Sequence, residues 1–122
     1  MPTTTINIDA SGKMTAQMIE NISFQDSNSS ITAQTYVLEL YAAYAYTINT
    51  LKIISTSGTC TAAVKINGTS VTGISAVSVS STIATGTGTA ANTVAVGDKI
   101  TLVITSPSSL TDLQASIKTT RI

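Results

Sequence analysis

From Gln34 to the C-terminus, apolar and polar residues change places at every second position, in short runs separated by turn residues. This constrains the fold more than any other feature, because only an extended strand sends alternate side chains to opposite faces. Tyr36, Leu38 and Leu40 share one face, with Val37, Glu39 and Tyr41 on the other. Tyr46, Ile48, Thr50 and Lys52 alternate with Thr47, Asn49, Leu51 and Ile53. Ala62, Val64 and Ile66 follow and stop at Asn67-Gly68, a dipeptide suited to the two positive-φ positions of a type I′ hairpin turn. Further strands are expected at Ser70–Thr72, Ile74–Ser80, about Thr82–Thr85 and Asn92–Val96. The Gly97-Asp98 turn leads into Lys99–Thr105. Ser106-Pro107-Ser108-Ser109 then breaks the chain, since proline cannot donate to a ladder. Thr111–Thr120 closes the pattern, with Leu113, Ala115 and Ile117 inward.

Eight or so short strands predict an all-β fold, a jelly-roll-like β-sandwich with a body over residues 34–122. Its expected core is Leu38, Leu40, Val64, Ile66, Ile100, Leu102, Ile104, Leu113 and Ile117. Residues 1–33 differ in texture and read as an N-terminal arm. They hold all three methionines, the single Phe (Phe24), and the polar stretch Gln25-Asp26-Ser27-Asn28-Ser29-Ser30. Met14, Met18 and Ile22 recur every fourth residue beside Ile19, which suits one or two helical turns, yet Gln17–Phe24 reads equally well as an edge strand. The arm either packs on its own body or docks on a neighbour. Met14, Met18, Ile19, Ile22 and Phe24 are the candidate docking residues, methionine being adaptable to irregular surfaces.

Charged residues are only 10% of the chain, against about 25% in an ordinary soluble domain. Ser and Thr supply about a third of all residues, so the polar surface is built of hydroxyls. Six Lys plus Arg balance six Asp plus Glu, and the cations stand singly, which argues against a nucleic-acid or membrane-surface role. Low charge also removes a defence against self-association, so a homo-oligomer, a trimer or a dimer, is expected. The start Met1-Pro2-Thr3-Thr4-Thr5 has neither a basic nor an apolar signal region. Synthesis in the cytoplasm without a cleaved signal is therefore expected.

The chain contains no histidine, which removes Ser-His and Cys-His catalysis and His-ligated metals. The six carboxylates form no dense motif, so no enzyme and no cofactor is expected. A calcium ion held by loop carbonyls with Asp98 or Asp112 stays open. Asp98, behind Gly97, reads as a turn residue bonding its own backbone. Cys60, alone within a strand pattern, reads as a small buried hydrophobe. Gly86-Thr87-Gly88-Thr89-Ala90-Ala91 matches the spacing of the dinucleotide fingerprint, but a β-type segment follows where that fingerprint needs a helix. The glycines read instead as a flexible loop tip. Tyr36, Tyr41, Tyr44 and Tyr46 cluster as candidate interface aromatics, for subunit packing or for stacking on a glycan.

Several segments together resemble a module of tailed-bacteriophage virion and prophage proteins. They are Tyr44–Leu51, Ser57–Thr69, Val71–Ser81, Ala90–Leu102 and Asp112–Ile117, with Lys65–Gly68 and Gly97–Leu102 the most specific. The resemblance implies a β-sandwich that is either a stand-alone capsid decoration (cement) protein or a domain appended to a tail fibre, with no family active site. A short chain without a fibrous shaft fits decoration of the head, with the major capsid protein or another virion protein as partner. A tail-fibre or receptor- and glycan-binding module is the alternative.

Overall fold

The computed structural model describes the backbone of residues 3–8 and 14–122, and side chains from Ile19 onward. Among these residues nine strands form one antiparallel system: β1 (Thr3–Ile8), β2 (Met14–Asp26), β3 (Gln34–Glu39), β4 (Tyr46–Ile66), β5 (Thr69–Ser70), β6 (Val77–Val79), β7 (Ala84–Thr87), β8 (Thr93–Val94) and β9 (Ile100–Arg121). The fold is all-β and sandwich-like, as the alternation predicts.

Two strands organise everything else. β4 and β9 run 21 and 22 residues, several times the usual strand length, and pair with each other along almost their whole course. Each bends midway, and the halves belong to different layers. In the first layer the order is β1, β2, the C-terminal half of β9, the N-terminal half of β4, then β7 and β8. In the second it is β3, the N-terminal half of β9, the C-terminal half of β4, then β5 and β6. The bend lies where the register slips around Ser57, Thr59 and Thr61 and where Gly58, Ser106 and Ser109 take positive φ. Bulges of this kind turn a strand while leaving its ladder on either side intact.

The segments Tyr46–Ile53 and Ala62–Ile66 are therefore parts of one strand. Ser106-Pro107-Ser108-Ser109 is a corner within β9 rather than a break, with Ser108 still opposite Thr59. Alternation then delivers Leu51, Ile53, Leu113 and Ile117 from one layer and Val64, Ile100, Leu102 and Ile104 from the other into a single buried cluster.

Of the expected core, Val64, Ile66, Ile100, Leu102, Ile104, Leu113 and Ile117 are buried. Leu40 is not; it is 71% exposed, and Leu38 is only half-buried. The cause is a bulge in β3 between Val37 and Glu39, which resets the alternation one residue before the strand ends. The glycine segment also differs from expectation. Gly86 is buried inside β7 opposite Leu51, and a Cβ there would come within 2.8 Å of Val77 Cγ2. The residue is glycine because two layers close over it, and no helix follows.

The arm residues resolve in favour of a strand. β2 has no helical turn; β1 flanks it from Met14 to Ile19, and from Glu20 to Asp26 it is an edge strand with β9 as its single ladder partner among the described residues.

Candidate functional site, a ribbon anchored by tyrosines

β2 has two halves with different surroundings. From Ile19 to Asp26 it is supported by β9, pairing with Thr120 to Leu113. From Met14 to Met18 its only ladder partner among the described residues is β1. Since β9 ends at Arg121, the β1–β2 hairpin continues past the last strand that supports it, as a two-stranded ribbon. Five residues of overhang at strand rise make a projection of about 17 Å.

Tyrosines fasten the supported half of β2 at both its ends, Tyr44 beside the root of the ribbon and Tyr36 at the far end. The Tyr36 hydroxyl donates to Asp26 Oδ2 at 2.6 Å, and its ring tilts against Phe24 with centroids 4.5 Å apart. The Tyr44 hydroxyl donates to Glu20 Oε2, while the Arg121 guanidinium sits 4.1 Å above the Tyr44 ring centroid. Tyr46 donates to Glu39 Oε1 at 3.3 Å and lies 5.7 Å from the Tyr44 ring. Two carboxylates of β2 are thus fastened to hydroxyls from β3 and from the segment before β4. Such charge-assisted bonds are the stronger kind.

The polar stretch that follows is ordered by local bonds. Asp26 Oδ1 accepts from the Asn28 N–H, and Asn28 Oδ1 accepts from the Ser30 N–H, each at 3.0 Å. Ile31 then buries beside Leu110, to whose carbonyl it donates.

The candidate docking residues accordingly separate. Ile22 and Phe24 are partly buried and pack against the chain's own core. Ile19 stands at the root, between Thr3 and Thr120. Met14 and Met18 belong to the overhang; their side chains lie outside the described residues. Of the candidate interface aromatics, Tyr36, Tyr44 and Tyr46 are engaged internally, and only Tyr41, 69% exposed, stays on the surface, over Gly97. Period-two parity could not reveal this, because it places a tyrosine on a face without saying which carboxylate lies opposite.

Burial and the Asp26 bond hold the Tyr36 hydroxyl protonated well above the ordinary tyrosine range, and burial with the Glu39 carboxylate does the same at Tyr46. At Tyr44 the bond to Glu20 is the main cause of an upward shift. A folded-state pKa raised above the unfolded value stabilises below about pH 10 and loses that contribution as pH rises through the folded value. Tyrosinate absorbance of these three residues is therefore expected to lag in the native protein above about pH 10 and to develop together with unfolding. Ionisation of Tyr36, Tyr44 and Tyr46 near that value in a protein still folded by circular dichroism would refute the clamp.

Other candidates are less organised. Asp98 accepts from the Ala95 N–H and from Asn67 Nδ2, each at 2.9 Å, and these bonds hold its carboxyl below the usual range. It is the turn residue that Gly97-Asp98 suggested. Among the described residues no three acidic, His or Cys side chains converge on a metal-sized site. Cys60 is buried, and burial pushes its thiol up, away from the reactive thiolate.

On the outer face of the first layer, Ser23, Gln25, Lys52, Ile54, Ile83, Gln114 and Ser116 line an open groove of about 510 Å³, in which Lys52 Nζ donates to Thr85 Oγ1 at 3.0 Å. Comparison with family models, curated proteins and solved structures found no match for this chain.

Proposed function

We propose that the protein is a structural component of a tailed-phage virion, a decoration (cement) protein of the capsid whose sandwich sits over shell subunits and whose ribbon reaches a neighbour. It would be made in the host cytoplasm and reside in the virion. The observation that carries the docking role is the ribbon, since a two-stranded hairpin in water is marginal by itself and gains stability when a third surface covers it. A supported root with an overhang that has no third ladder strand among the described residues suits a part that is completed on assembly. The phage assignment rests on the sequence resemblance, with which a small all-β sandwich agrees.

Deleting residues 1–18 removes the overhang and leaves Ile19–Asp26, with its tyrosine bonds, in place. The truncated protein is expected to fold, to lose affinity for capsids by at least tenfold, roughly 1.4 kcal/mol, and to stop protecting them against heat. Undiminished capsid binding by the folded truncation would overturn the docking role.

The groove beside Gln25 and Gln114 favours one second reading, a tail-associated module binding a host glycan. Its amides, hydroxyls and exposed Ile83 offer hydrogen bonds and an apolar platform to a sugar. In that case the 1–18 deletion spares binding to host cells and Gln114→Ala weakens it.

A further inference from the structure

β1 ends the strand order, so on the side away from β2 its backbone N–H and C=O groups have no ladder partner among the described residues. Natural edges are blunted by charge, proline or a bulge, because a bare edge templates another strand. The β3 edge has such devices, with a register shift after Val37 and the carboxylate Glu39. β1 has none. Thr3-Thr4-Thr5-Ile6-Asn7-Ile8 has no charge, all but one of its residues are β-branched, and its register with β2 is unbroken.

We infer that the free edge of β1 pairs antiparallel with the same strand of a second copy of this chain, joining two ribbons into one four-stranded sheet ordered β2-β1-β1-β2. This deepens the docking reading by naming what covers the ribbon, and so rests on it in part.

A second copy fits for two reasons. An uncharged strand meets no like charge when it meets itself, and the whole chain is neutral, with six cations and six anions, so the approach of two copies is not opposed. Two-fold symmetry also lifts both ribbons at once from two strands to four, past the three needed for a sheet to hold in water. The strand-addition geometry is the one by which sheet edges bind extended peptides.

The test is sedimentation velocity of the full chain over a range of micromolar concentrations, with two variants. The wild type is expected as two chains per particle. The double variant Thr5→Lys, Asn7→Lys puts like charges across the shared edge and is expected to sediment as a monomer, its dissociation constant weakened at least about tenfold. Thr5→Val keeps a β-branched neutral residue and is expected to remain dimeric. A wild type monomeric throughout, or a double-lysine variant that still dimerises, overturns the inference. Shell binding on the same samples separates the two readings. A monomeric wild type that binds shells refutes the pairing alone, and a dimer that binds no shell refutes the decoration role alone.

Discussion

Gly58→Ala is expected to cost upwards of about 4 kcal/mol, enough to leave a marginally stable domain largely unfolded at room temperature. Gly58 sits at the corner of β4 with φ +80°, and its carbonyl accepts from Ser55 Oγ at 2.9 Å. A Cβ there would lie 2.1 Å from the Ser109 carbonyl oxygen, 2.4 Å from its carbon and 2.5 Å from the Ser108 oxygen. These are backbone atoms of the matching corner in β9, so relief requires the two central strands to part where both layers depend on them. The left-handed conformation alone costs an L-residue only about 1–2 kcal/mol. Gly68→Ala isolates that smaller part, because Gly68 has φ +84° with nothing within 4 Å of the added methyl. Denaturant midpoints of the two variants decide the matter. Equal shifts would show that the corner is not tight and that only conformation was at stake.

Truncating Leu102 should cost about 2–5 kcal/mol, in the upper part of that range. Leu102 is fully buried, with Val64 opposite it on one side and Tyr36 on the other. Strands held by ladders on both sides cannot collapse into the space that Leu102→Ala leaves, so most of the cavity persists. Leu40→Ala is the matched comparison. At 71% exposure beyond the bulge, it should stay within about 0.5 kcal/mol of wild type. A urea midpoint lowered for Leu102→Ala with an unchanged slope would assign the loss to packing. Similar midpoints for the two variants would contradict the placement of the core.

Both contrasts mark the line between what the sequence by itself determined and what only the tertiary structure decided. Strand class, the Asn67-Gly68 hairpin and the role of Asp98 were legible, as was the buried face except where a bulge resets it, between Ile48 and Thr50 in β4 and between Val37 and Glu39 in β3. Each is set within a few residues by backbone sterics, side-chain alternation and short polar bonds, and Asn67 and Gly68 do take φ 49° and 84°. Ser106–Ser109 reads in the sequence as a break between strands, and there β9 turns a corner instead, as β4 does at Gly58. A turn and a corner draw on the same glycines, serines and prolines. Which one forms depends on whether a distant strand bends in step on the other side, as β9 does for β4. The bulge that exposes Leu40 is likewise a register event between β3 and β9, invisible to a pattern counted along one strand. The tyrosines were singled out by clustering, but their bonds to Glu20 and Asp26 arise only where β2 lies down beside β9, and the bond to Glu39 only where β3 does. Local sterics choose the strand, and long-range pairing chooses its neighbours. The ribbon is what remains where that pairing stops short of the end of β2.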